Sequence, residues 1–200
     1  MLNTDFGPNP IPDQAWFAEV KRLGHAGFMT TLTAWATVQP WPGAAVAFDR
    51  ALTAGMWIAA YARPPEGWEA GVLGLGSLAD KLRFVDLDVE PEPDGEHHPL
   101  FDEQVMGLVG LGQRPVIYAY AGEFVQAMGY DPGVRFATLP LHDRGIRTIA
   151  SLPTGMGQKP MVPFNGWNGR WTRRKVWQCR DPYVVGGIEC SLNVVDRRWL

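Results

Sequence analysis

Phe84 to Pro91 reads FVDLDVEP, and its polar residues are spaced for proton chemistry. Side chains alternate faces along a strand, so Asp86, Asp88 and Glu90 share one side while Val85, Leu87 and Val89 share the other. Twice the ~3.3 Å rise per residue sets neighbouring members of the acidic row roughly 6.6 Å apart at Cα. Carboxylates crowded onto one buried face repel one another, so at least one pKa rises unless a proton, a cation or a substrate compensates. One carboxyl kept protonated beside another kept ionised is the pair that glycosidic cleavage needs. The first gives its proton to the leaving oxygen, and the second acts on the other side or steers the sugar. A solvated row and an Asp-rich Mg²⁺ or Ca²⁺ site are the competing readings. Pro91 ends the strand and leaves Glu90 at its C-terminal edge, where the catalytic groups of a parallel barrel sit.

Aromatic residues supply candidate sugar platforms. Tyr61 ends one strand-like run, Tyr118 and Tyr120 share a face of another, and Trp177 and Gln178 stand together near the C-terminus. Ordinary core packing is the alternative for each, and it is the expected role of Trp16, Phe17 and Phe48 on helices. Trp35, Trp41, Trp68, Trp167 and Trp171 fall in or beside loop-like stretches, which suits a rim or partner contact better than burial. His97 and His98 with Asp94 and Glu96 match no metal-ligand spacing and read as a solvated loop, while His25 and His142 are isolated. Cys179 and Cys190 lie in VWQC and GIECSLNV, runs joined by RDPYVVGG. They are either a cross-strand disulfide or, as the better-supported reading, two small buried hydrophobes.

The elements that must position these groups follow from short apolar runs alternating with helical patterns, the mark of repeated βα units around a parallel sheet. Strand-like LNTDF leads to a helix over 13–23, started by Pro12 and Asp13 and stopped by Gly24. Strands follow at 27–33, 56–62, 83–91 and 114–120. Helices are expected at 42–54, at 67–80 in a looser Gly-rich form, at 98–112 and in GEFVQAMG. Beyond Pro132 only β-like runs remain: RFATLPL, RTIASL, KPMVPF, KVWQC and GIECSLNVV. The pattern predicts an α/β fold, a single TIM-like (β/α) barrel with five regular βα units and an irregular, mostly β C-terminal third, filling residues 1–200 as one domain.

Composition narrows the partners. The chain has 200 residues with 46% hydrophobic and 20% charged residues and a net charge of −3, which argues against a general nucleic-acid binder. The apolar stretch Ala54–Ala62 is about half of the ~20 residues a spanning helix needs, so no membrane insertion is expected. MLNTDFGPNPIP has neither a basic n-region nor an apolar h-region, so no secretory signal is expected. Charge is uneven. Eight acids and no Lys or Arg lie between Asp86 and Glu103, whereas Arg170, Arg173, Arg174, Lys175, Arg180, Arg197 and Arg198 gather near the end against Asp181, Glu189 and Asp196.

Taken in order along the chain, Asp5 in NTDFG, the D-x-E of Asp88 and Glu90, PVIYAY, and a terminal WQ followed by x-x-L-N resemble the family 25 glycoside hydrolases, lysozymes that cleave peptidoglycan. The resemblance implies retaining hydrolysis of the β-1,4 bond between N-acetylmuramic acid and N-acetylglucosamine, with no cofactor and no metal. It makes Glu90 the proton donor, Asp88 the partner that orients or charges the reacting sugar group, and Asp5 a floor carboxylate facing both. Two departures stand out. The family's terminal V-D-L-N is here Cys190, Ser191, Leu192 and Asn193, so Ser191 replaces an acid, and Glu189 should face the same side as Ser191. GFMTTLT also lacks the Lys common at that strand. Asp86, Asp88 and Glu90 further spell the D-x-D-x-E of family 18 chitinases, but Arg83, Phe84 and Val85 stand where that family has D-G-x. The expected partner is cell-wall peptidoglycan, with other virion tail proteins as further partners. The protein would be made in the cytoplasm and reach the wall by holin-dependent release or within a virion. The rival expectation is a tail or baseplate structural or carbohydrate-binding subunit with weak or no catalysis, and the basic cluster would then serve stem-peptide carboxylates, a partner subunit or simply solvent.

Overall fold

The computed structural model describes residues 1–4, 6, 10–34, 39–62, 67–88, 101–119, 141–143 and 174–200. Among the described residues eight strands close into a barrel: β1 (Leu2–Asn3), β2 (Gly27–Thr31), β3 (Trp57–Ala62), β4 (Leu82–Asp88), β5 (Pro115–Ala119), β6 (Leu141–Asp143), β7 (Arg174–Val185) and β8 (Ile188–Val195). Neighbours from β1 to β7 pair in parallel. Strand β8 runs antiparallel to both β7 and β1 and thereby seals the sheet.

Helices α1 (Gln14–Arg22), α2 (Gly43–Thr53), α3 (Trp68–Gly74) and α4 (Phe101–Gly110) follow β1 to β4 in turn. Asp13 starts α1 as expected, its Oδ1 accepting the Trp16 N–H at 3.1 Å. The looser 67–80 pattern resolves into α3 and a 3-10 turn over Gly76–Lys81, divided where Gly76 takes φ 55°. The described architecture is therefore a mixed α/β barrel with four βα units leading into β5. GEFVQAMG, the expected fifth helix, lies outside the described residues, as do RTIASL, KPMVPF and all of RFATLPL except Leu141.

Two cores hold the barrel. Outward-facing Phe28, Ile58, Ala60, Val85, Leu87 and Ile117 pack against helix residues such as Phe17, Phe48 and Leu108. The alternate residues Met29, Ala59, Phe84, Val116 and Val176 fill the inside, with Trp57, Trp199 and Leu200 packed against them. Phe17 and Phe48 are buried core side chains, and Trp16 is half-buried with its indole N–H donating to the Val185 carbonyl at 3.0 Å. Trp41 and Trp68 depart from the rim expectation. Both are half-buried against the outer core, and Trp68 covers the face of Gly107 so closely that a Cβ there would collide with its ring. Trp35, Trp167 and Trp171 lie outside the described residues.

The C-terminal hairpin also differs from expectation. RDPYVVGG is mostly strand: β7 continues to Val185 and turns only at Gly186 and Gly187, whose φ values of 56° and 79° suit a tight hairpin. Pro182 is accommodated because the pairing slips between Gln178 and Arg180 and again between Arg180 and Tyr183. This register sets Cys190 opposite Tyr183, while the Cys179 thiol donates to the Leu192 carbonyl at 3.3 Å. No disulfide joins the two cysteines, and both are buried. Burial, reinforced by the Glu189 charge, pushes the Cys190 thiol up to about 12, so it behaves as a small hydrophobe.

Candidate active site

Inside the barrel a polar layer sits above an apolar one. Strand β4 carries both on one face: Phe84 is fully buried against Trp57 and Trp199, Asp86 above it is 2% exposed, and Asp88 at the strand's C-terminal end is half-buried. Asp86 is thus shielded from solvent, and neither Asp86 nor Asp88 turns toward the helices. Glu90 and Asp5 lie outside the described residues, as does Tyr120.

Parallel register brings the aromatic candidates alongside. Tyr61 of β3 is the partner of Asp86, and Tyr118 of β5 is the partner of Asp88. Tyr118 is 7% exposed and Tyr61 half-buried, so both phenols are neighbours of the acids within the barrel mouth. On the far side Gln178 of β7 pairs with Asn193 of β8, and both are buried among the inward-facing positions. Alternation sends Trp177 to the other side of β7, where it is 2% exposed, so it does not share the face of Val176 and Gln178.

Strand β8 shows what replaces the expected acid. Ser191 is half-buried and is the register partner of Asn3 of β1. Glu189, two residues nearer the mouth on the same face, is exposed, and its carbonyl accepts the Thr4 hydroxyl at 3.0 Å. Asn193 lies one step deeper, its side-chain amide donating to the Ser191 carbonyl at 3.4 Å. Its backbone N–H and C=O both pair with Met1.

Sequence reasoning missed the polar residues of β1 and β2. Thr31 is the partner of Tyr61 and occupies an inward position above Met29, its hydroxyl donating to the Thr33 carbonyl at 2.8 Å. Asn3 adds a buried amide oxygen that accepts no hydrogen bond among the described residues. Thr30, on the outward face, donates to the Thr4 carbonyl at 2.6 Å and ties β2 to the chain leaving β1. The alternation in FMTTLT was the available signal for Thr31, since it faces the same way as Met29. Thr4 also accepts the Phe6 N–H at 3.1 Å, and Phe6 takes φ 60° while its ring stacks on Phe28 at 5.9 Å. A bulky residue in the left-handed region needs such clamping.

His25 stands apart from this layer. It lies just before β2, buried, with its ring against Tyr183 at 5.7 Å. Burial, with a smaller push from the terminal ammonium of Met1, lowers its pKa to about 4. Among the described residues no three His, Cys, Asp or Glu side chains converge in a way that could hold a metal ion. His97 and His98 lie outside them.

No protein-family model and no curated protein matches the chain. Solved structures do. The muramidase from Acremonium alcalophilum aligns over 98% of this chain and 94% of its own, with TM-score 0.65 and 18% identity. The lysozyme from Streptomyces coelicolor aligns over 98% and 90%, with TM-score 0.63 and 16% identity. GHIP, a glycosyl hydrolase 25 of Streptococcus pneumoniae described as participating in host cell invasion, aligns over 98% and 86%, with TM-score 0.58 and 13% identity. The chain has the family 25 glycoside hydrolase fold.

Proposed function

We infer that the protein is a peptidoglycan glycosidase of the muramidase type, hydrolysing the β-1,4 bond between N-acetylmuramic acid and N-acetylglucosamine. One observation carries the reading: in a lysozyme-like barrel, Asp86 and Asp88 rise on the inner face of β4 toward its C-terminal end, beside Tyr61 and Tyr118. Glu90, next in that row, gives its proton to the leaving oxygen. Asp88 orients the reacting sugar group and supplies negative charge to the developing cation, and Asp5 is assigned as a third carboxylate acting with them. Tyr61, Tyr118 and Tyr120 offer rings to the sugar, with Asp86, Gln178, Glu189, Ser191 and Asn193 completing the substrate contacts and their support, whereas Trp177, on the other side of β7, takes no part. No cofactor takes part. We read residues 1–200 as one domain. We read the protein as phage-derived, made in the cytoplasm and meeting the wall after holin-dependent release or aboard a virion. Incubation with purified peptidoglycan, followed by identification of the new reducing end, tests the reading: N-acetylmuramic acid at that end supports it, and unchanged glycan opposes it.

A second reading has its own support. Ser191 stands inside β8 opposite Asn3, where the family resemblance implies an acid. A barrel weakened there suits a tail or baseplate subunit that binds wall glycan without cutting it. Retention on peptidoglycan with no new reducing ends would favour this reading. Chitinase-like cleavage ranks third and would appear as hydrolysis of chitin oligomers.

A further inference from the structure

The end of the barrel opposite the candidate site gathers cations that the sequence scatters over more than a hundred positions. Parallel strands begin there and β8 finishes there, which brings together Lys81 and Arg83 at the start of β4, Arg114 before β5, Lys175 at the start of β7, and Arg197 and Arg198 after β8. The pairing of Val85 with Pro115 makes Arg83 a neighbour of Gln113, next to Arg114. Arg114 donates to the Trp199 carbonyl at 2.9 Å and lies 5.2 Å over its ring, and Trp199 in turn packs on Phe84. Lys175 and Arg198 share the carboxylate of Asp196, at 3.7 Å and 3.4 Å. Among the described residues Lys81, Arg83 and Arg197 form no ion pair, and all of the six except Lys175 are exposed. Six cations against Asp80, Asp196 and the Leu200 carboxylate make a positive face on a chain whose net charge is −3.

We propose that this face binds an anionic, phosphate-bearing polymer of the bacterial wall, leaving the opposite mouth free to hold glycan. The spread of the charges argues for a polymer over a small anion. The guanidinium and ammonium groups fan out from three strand starts and a chain end, with Arg198 82% exposed at its side chain, and several weak contacts along one strand suit such a surface. Arginine's planar fork matches phosphate oxygens in particular. The choice of a wall polymer rests on the glycosidase reading; the positive face itself does not.

Inorganic polyphosphate is the probe, titrated into the full chain at 50 and 200 mM salt and followed by calorimetry and tryptophan fluorescence. For about four charge contacts the affinity should fall roughly 50-fold across that salt range. In a variant carrying Lys81→Gln, Arg83→Gln, Arg197→Gln and Arg198→Gln, it should fall at least about tenfold with the melting transition unchanged. Retention on bacterial walls should drop once hydrofluoric acid has stripped their phosphodiester polymers. Equal binding by the variant, tighter binding of poly-L-glutamate or duplex DNA at the same salt, or undiminished retention on stripped walls would each overturn the proposal. Hydrolysis of soluble wall fragments should be the same in wild type and variant. Polyphosphate binding without hydrolysis would remove the glycosidase reading and leave the charged face standing, whereas hydrolysis with no polyphosphate binding would do the reverse.

Discussion

Asp88 and Tyr118 are register partners on the adjacent parallel strands β4 and β5, both inside the barrel at the end where the strands finish. An acid fixed by its strand beside a phenol fixed by the next needs little reorganisation to meet a sugar, which is the condition under which electrostatic stabilisation is most effective. Asp88→Asn removes the charge and keeps the shape. It is expected to lower wall hydrolysis by about 10²-fold or more with the fold intact by circular dichroism. Activity within a few-fold of wild type would deny Asp88 its role.

Ser191 and Glu189 test whether the missing acid has been displaced. Ser191→Asp should raise hydrolysis by placing a carboxylate on the inner face of β8, and Glu189→Gln should lower it if the exposed Glu189 serves in its place. Both are compared with wild type on the same peptidoglycan. A loss of activity in Ser191→Asp would mean that a further carboxylate near Asp86 and Asp88 raises a pKa too far.

His25 makes stability depend on pH. Its pKa is lowered to about 4 in the folded protein from an ordinary value near 6.5, so the folded state holds fewer protons between those values. Its contribution is complete above pH ~6.5, declines as pH falls toward 4, and stays lost below. By the usual linkage the decline amounts to a few kcal/mol at most. Urea unfolding at pH 7 and pH 4.5 should show wild type losing more stability than His25→Leu; equal losses would contradict the assignment.

Two local contacts carry stability. Asp13→Ala removes the cap of α1 and should cost about 1 kcal/mol, read as a lower urea midpoint with an unchanged slope. Gly107→Ala drives a methyl group into the Trp68 ring and should cost about 1–3 kcal/mol, whereas alanine at the open Gly110 should be tolerated.

The barrel was readable because its strands and helices carry opposite periodicities. Phe84, Asp86 and Asp88 could be placed on one face by counting, and the structure keeps that face inward. Errors arose where the deciding contact is remote in sequence. Asp181 and Pro182 fall in RDPYVVGG, which reads locally as a connection between two runs, but pairing with β8 carries the strand through them with two slips in register. Trp41 and Trp68 sit in loop-like sequence yet pack against Phe6 and Gly107 respectively, contacts that no local pattern encodes. Trp177 was grouped with Gln178 by adjacency, although neighbouring residues in a strand face opposite ways. The basic face emerges only when the starts of β4, β5 and β7 meet the end of β8.

Muramidase chemistry with Glu90 as proton donor is tested by incubating wild-type and Glu90→Gln protein, each verified as folded, with purified peptidoglycan, reducing the products with borohydride and identifying the reduced sugar. Newly formed N-acetylmuramitol ends are expected with wild type, and a fall of about 10²–10⁴-fold with Glu90→Gln. Wild-type protein that yields no such ends, or a Glu90→Gln protein that yields them at an undiminished rate, would contradict that chemistry.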